Sequence, residues 1–172
     1  MAKICISDRN LTELQSIPEG TVELFCFNNR LVHLPPLPSS LRRLNCFNNC
    51  LMKLPPLPSG LEHLICSDNC LMELPPLPNS LITLICYGNR LTALPPLPNS
   101  LIELICSDNC LMELPPLPSK LKYLNFSDNN LAVVPPLPSS LESLCFINNP
   151  LMDFPTTFPI NLMYLNYVPY TT

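Results

Sequence analysis

The chain has 172 residues, enough for one domain with a sizeable core, and 47% hydrophobic content with a mean hydropathy of +0.25 excludes a disordered polar segment. A charged fraction of 13% and a formal net charge of −4 exclude the basic field of a nucleic-acid binder. Twenty-three prolines against three glycines suggest a linker, but leucines recur at fixed positions among them, so the prolines belong to a fold.

The opening segment, Met1-Ala2-Lys3-Ile4-Cys5-Ile6-Ser7-Asp8, lacks the apolar run of a signal peptide. Proline, charged or polar residues interrupt every later apolar stretch, so the expectation is a cytoplasmic chain that neither spans nor binds a membrane. In that setting the ten cysteines are expected to be reduced thiols, and the glycosylation patterns at Asn10-Leu11-Thr12 and Asn125-Phe126-Ser127 to be chance matches.

Residues 1–20 read as an atypical first repeat: Arg9 stands where later rows have Asn, and Gln15 where they have their first Pro. From there the sequence falls into rows of twenty with the unit L-x-x-L-x-C-x-x-N-x-L-x-x-L-P-P-L-P-x-S. Leucine occupies 24, 44, 64, 84, 104, 124 and 144, and Asn occupies 29, 49, 69, 89, 109, 129 and 149. Within a row, Leu64 and Cys66 alternate with His63, Ile65 and Ser67, which predicts a short strand with the first pair inward and the others on the open sheet face. The Asn follows where the chain bends, and its amide suits backbone groups that the turn leaves unpaired. Successive prolines forbid helix in Leu-Pro-Pro-Leu-Pro, so the return path is predicted as extended, polyproline-like backbone.

One such coil cannot repay the entropy of ordering twenty residues, so copies must stack, giving a parallel sheet of about eight repeats with strands about 4.8 Å apart. Residues 150–172 read as an atypical C-terminal cap. There Phe154-Pro155-Thr156-Thr157-Phe158-Pro159 carries one extra residue before Leu162, Leu165 and Tyr167 resume the strand columns, and the aromatics are expected to seal the last repeat. No composition break divides the chain, so 1–172 is read as a single solenoid.

The run Leu61-Glu62-His63-Leu64-Ile65-Cys66-Ser67-Asp68-Asn69-Cys70-Leu71-Met72-Glu73-Leu74-Pro75-Pro76-Leu77-Pro78 resembles the short leucine-rich repeats of bacterial type III effectors of the YopM and IpaH type, and the resemblance covers nearly the whole chain. It implies a β-rich solenoid: a leucine-rich-repeat horseshoe with a parallel concave β-sheet, a polyproline-like extended convex side and no long helices, used to bind proteins.

The cysteine column Cys26, Cys46, Cys66, Cys86 and Cys106 points inward, where Cys acts as a small hydrophobe, and strand spacing sets its members too far apart for easy disulfides. The pairs Cys46/Cys50, Cys66/Cys70 and Cys106/Cys110 have zinc-like spacing, but one member of each faces the core, so no zinc site is expected and no cofactor is implied. Cys50 and Cys70 share a turn position in adjacent repeats, where pairing stays open. Cys66-Ser67-Asp68 and Cys106-Ser107-Asp108 repeat the Cys-x-Asp of the IpaH-type ligase, but on repeat strands with the thiol inward. His33 and His63 fall in different columns and form no catalytic pair, so no enzyme is expected.

The open sheet face is where the fold leaves residues free to vary. Stacked Ile65, Ile85 and Ile105 beside Ile82 and Ile102 make an apolar strip, flanked by Phe25, Phe27, Phe47, His63, Tyr87 and Tyr123. Arg42 and Arg43, with Phe27 and Phe47 expected nearby, are read as an anchoring end. The column Met52, Met72, Met112 and Met152 is expected to shield the core edge. The function that follows is a non-catalytic protein-binding module or adaptor, monomeric, engaging an unidentified protein through its concave face. The alternative is a structural component that self-assembles through that face or through the solenoid ends.

Overall fold

The computed structural model describes residues 2–153 and 155–166, so Phe154 and Tyr167, two of the expected cap residues, lie outside the described residues. Nine strands follow in chain order: β1 (Ala2–Cys5), β2 (Thr21–Phe25), β3 (Arg43–Asn45), β4 (His63–Ile65), β5 (Thr83–Ile85), β6 (Glu103–Ile105), β7 (Tyr123–Asn125), β8 (Ser143–Cys145) and β9 (Tyr164–Asn166). They form one parallel sheet in which each strand pairs with its sequence neighbours. From β2 to β8 each residue pairs with the one twenty positions on, as Leu44 with Leu64 and Leu64 with Leu84. At the last step Leu144 pairs with Leu165, so the extra residue of the final row is absorbed before β9 and the leucine column survives. No helix occurs among the described residues, and the proline-rich return segments carry only the isolated bridge Val133–Asp153.

The core is the set of inward columns. Leu44, Leu64, Leu84 and Leu104 are buried behind the strands, the five-cysteine column lies fully buried beside them, and Leu31, Leu51, Leu71, Leu91 and Leu111 close the layer after each turn. In the last two full repeats Phe126 and Phe146 take the cysteine position and stack with ring centroids 5.6 Å apart. The larger rings fill the end of the core that has fewer neighbours. Towards the C-terminal cap, Phe158 and Leu162 are half-buried against the core.

Two polar ladders bind coil to coil. Asn49 Nδ2 donates to Cys46 O at 3.1 Å in its own turn and to Cys26 O at 3.0 Å in the preceding one, while its Oδ1 accepts the Leu31 N–H at 3.0 Å. Asn29, Asn109 and Asn129 repeat the pattern, each satisfying backbone groups that the bend would orphan. The second ladder uses the closing serine of the unit: Ser80, Ser100 and Ser140 each donate Oγ–H to the carbonyl of Leu61, Leu81 and Leu121, at 2.6 Å in every case.

In the rows from Asp8 to Asn148 the residue before the ladder position is held in the left-handed region. Asp8, Asn28, Asn48, Asp68, Asp108, Asp128 and Asn148 have φ between 49° and 59°, and Gly88 has φ 63°. Only Asn, Asp and Gly adopt that conformation at little cost, which explains why the column contains nothing else.

The methionine column departs from expectation. Met52, Met72, Met112 and Met152 are 62–82% exposed and shield nothing, because the leucine beside each of the first three already occupies the core edge.

Candidate functional site

The sheet face opposite the core is built from side chains that alternate with the buried leucines and cysteines. Strand register sets Phe25, Asn45, Ile65, Ile85, Ile105 and Asn125 side by side in one column, every member half-buried. Ile65, Ile85 and Ile105 are therefore direct neighbours on β4, β5 and β6. At one end of this strip the Asn45 Oδ1 accepts the Phe47 N–H at 3.1 Å; at the other the Asn125 Oδ1 accepts the Ser127 N–H at 3.0 Å. The flanking amides thus turn onto their own backbone and leave the apolar segment three strands wide. Ile82 and Ile102 stand just before β5 and β6, joined by the Ile102 N–H bond to Ile82 O at 2.8 Å, and are half-buried too.

Polar groups gather at both ends. At the β1 end, Lys3 lies 3.7 Å from Glu23 and 4.6 Å above the Phe25 ring, and Arg43 reaches Glu23 at 4.0 Å. Such exposed pairs stabilise little but set a charge pattern. His63 follows Arg43 in the same column; burial first, and Arg43 second, lower its imidazole from the ordinary histidine value. A cleft of about 620 Å³ opens here between Glu23, Ser40, Arg42, Arg43, Glu62 and His63. At the other end the Lys122 Nζ donates to Glu142 Oε1 at 2.7 Å and the Tyr123 hydroxyl to Glu142 Oε2 at 3.4 Å. The hydrogen bond from Lys122 holds the Glu142 carboxyl below its usual range. Glu142 escaped the sequence reading because its partners lie one full repeat away.

Arg42 is not gathered with the phenylalanines. Its Nη1 donates back to Ser39 O at 3.3 Å and Leu41 O at 3.2 Å, and the guanidinium fills the space that the missing side chain of Gly60 leaves open. That is the margin where the chain enters the strands, whereas Phe27 and Phe47 stand where it leaves them, roughly 15 Å along an extended chain. The exit margin holds an aromatic shelf in their place. Phe27 and Phe47 belong to adjacent coils, linked by the Asn28 N–H bond to Phe47 O at 2.9 Å, and the Phe47 and Tyr87 rings approach to 6.4 Å at a 52° tilt. Ser67, expected on the open face between them, is instead fully buried. In the column Phe47, Ser67, Tyr87 a small residue stands between two large ones.

The buried thiols are inert by environment. Burial pushes Cys26 and Cys86 up to about 12 and raises Cys46, Cys66 and Cys106 well above the usual thiol range, which disfavours the thiolate form in Cys66 and Cys106 of the two Cys-Ser-Asp triplets.

The leucine-rich repeat profile matches residues 120–144. No curated protein sequence matches the chain. Among solved structures, YopM from Yersinia pestis is 38% identical over 89% of this chain and 44% of its own, with a TM-score of 0.83. YopM from Yersinia enterocolitica is 36% identical over 94% of this chain and 40% of its own, with a TM-score of 0.78. The leucine-rich-repeat domain of a Shigella effector is 33% identical over 88% of this chain and 70% of its own, with a TM-score of 0.79. The chain thus spans less than half the length of the YopM structures it matches. At 33% identity over 70% of the Shigella effector domain, the chain belongs to the leucine-rich-repeat family.

Proposed function

We propose that this chain is a non-catalytic adaptor acting in a cytoplasm, and that it holds a protein partner against the open face of its sheet. One observation carries the reading: Ile65, Ile85 and Ile105 lie in register on three consecutive strands, half-exposed on a face that the fold does not need to be apolar. The same positions hold Asn45 and Asn125 in the flanking repeats without disturbing strand or core, so isoleucine there is not a requirement of the sheet. An apolar centre with charged ends, Lys3, Glu23 and Arg43 on one side and Lys122 and Glu142 on the other, has the anatomy of a protein interface with a polar rim. The leucine-rich repeats of the similar effectors support a binding scaffold as the class.

The test is capture from the native cell with the wild-type chain beside an Ile65→Asp, Ile85→Asp, Ile105→Asp variant whose circular dichroism and melting are unchanged. Loss of a defined protein from the variant, restored by Ile65→Val, Ile85→Val, Ile105→Val, is the expected result. Recovery of the same proteins by both chains overturns the assignment of this face.

A second reading is a self-assembling component. It draws on β1 and β9, each of which pairs on one side only among the described residues and so presents an open strand edge. Light scattering separates the two: a concentration-independent monomer supports the adaptor, a defined large oligomer the assembly.

A further inference from the structure

Residues 50–52 and 70–72 read Cys-Leu-Met in two consecutive coils. The central leucines, Leu51 and Leu71, are fully buried, whereas Met52 and Met72 are 65% and 62% exposed, Cys50 is exposed and Cys70 is half-exposed. With the leucine pinned in the core, the thiol before it and the thioether after it both stand on the outside. The fold does not ask for methionine there, since the same column holds Val32, Thr92 and Ala132.

Lateral register persists through this turn. The Cys50 N–H donates to Leu31 O, the Cys70 N–H to Leu51 O and the Arg90 N–H to Leu71 O, each at 2.9 Å. Cys50 and Cys70 therefore occupy equivalent backbone positions in adjacent coils, one strand spacing of ~4.8 Å apart, and Met52 and Met72 follow them two residues on in the same coils. The column through the thiols runs Arg30, Cys50, Cys70, Arg90, two sulfurs between two guanidinium-bearing residues.

We propose that Cys50, Met52, Cys70 and Met72 form a binding site for a soft monovalent d10 cation, with copper(I) as its type. Thiolate and thioether are the donors that select such an ion, and two or three of them suffice for it. Each thiol releases its proton to solvent as its sulfur bonds to the metal, and the oxidation state of copper does not change. Two thiolates around one monovalent cation leave a net charge of one negative, which the cationic neighbours Arg30 and Arg90 offset. Zinc is not served, because it favours four nitrogen, thiolate or carboxylate donors, and no three His, Cys, Asp or Glu gather in this way among the described residues. The buried column from Cys26 to Cys106 takes no part, being closed to solvent. Cys110-Leu111-Met112 repeats the triplet once, with Arg90 rather than a second thiol in the coil before it, and serves as an internal control.

The experiment titrates the full reduced chain with copper(I) under argon against a chromogenic chelator, following the ultraviolet thiolate-to-copper charge-transfer band. One copper retained per chain is expected, with retention lost in Cys50→Ser and in Cys70→Ser and unchanged in Cys110→Ser. Met52→Leu with Met72→Leu weakens it by at least about tenfold. Unchanged thermal melting of every variant shows that the fold is intact. Failure of the native chain to hold copper against the chelator overturns the proposal. So does equal retention by the Cys50→Ser, Cys70→Ser double variant, or copper affinity in the methionine double variant equal to that of the native chain.

Discussion

The rings of Phe47 and Tyr87, forty residues apart in sequence, approach to 6.4 Å although Ser67 separates them in the column, and Ser67 itself is fully buried. The Ser67 hydroxyl has no hydrogen-bond partner among the described residues. A buried hydroxyl in that condition stabilises nothing. Ser67→Ala is expected to keep stability within about 0.5 kcal/mol of the native chain or to raise it, by urea unfolding. A Phe47→Ala, Tyr87→Ala double-mutant cycle is expected to give a coupling of about 0.5–1.5 kcal/mol, and a coupling of zero removes the aromatic shelf from the energetics.

The ladder asparagines are the costliest polar side chains to remove. Asn109 donates to Cys86 O at 3.0 Å, Cys106 O at 3.2 Å and Ser107 O at 3.1 Å, and accepts the Leu91 N–H at 3.0 Å, all within a buried turn. The three carbonyls share the two N–H of one amide, so their losses do not add in full; with a buried unpaired group costing about 1–3 kcal/mol, Asn109→Ala is expected to lose on the order of 3–5 kcal/mol in equilibrium unfolding. Asn109→Asp is expected to lose nearly as much, since a carboxylate accepts but does not donate.

Asp68 gives the coil a pH dependence of defined sign. Burial first, and the charge of Asp108 second, raise its carboxyl above the ordinary aspartate value. A carboxyl raised on folding favours the folded state while protonated, and that advantage is lost as pH rises through the folded value. Asp68→Asn is therefore expected to raise the melting temperature at pH 7 and to leave it unchanged at pH 3; a gain of equal size at both pH values excludes the charge as its cause. Gly88 sits beside this carboxylate with φ 63°, and a Cβ there would meet Asp68 Oδ1. Gly88→Ala is expected to cost about 1–2 kcal/mol.

Thiol chemistry separates the cysteines by position. Cys5, Cys50 and Cys110 are exposed, Cys70 and Cys145 are intermediate, and Cys26, Cys46, Cys66, Cys86 and Cys106 are buried. A disulfide reagent added to the reduced native chain is expected to label the exposed group quickly and the intermediate pair slowly. The five buried thiols should react only in denaturant, and rapid native labelling of Cys66 or Cys106 contradicts the burial that makes those triplets inert.

Much of this architecture is legible in one chain because every coil solves the same problem at the same period. The leucine columns, the inward cysteines and the turn asparagines lie at fixed offsets, and their chemistry names their places: apolar side chains inside, an amide where a bend leaves backbone unpaired. The left-handed column is equally legible, because it contains only Asn, Asp and Gly, the residues that adopt that backbone at little cost. What tertiary structure decided concerns pairs of residues twenty or forty positions apart whose meeting depends on size. Ser67 is buried between the large Phe47 and Tyr87, and Glu142 joins Lys122 because register brings it there. Arg42 turns back because residue 60 is glycine, and the methionines stand free because leucine already fills the core edge. A periodic sequence determines which side of the coil a residue occupies; the neighbours stacked above and below it determine whether solvent reaches it there.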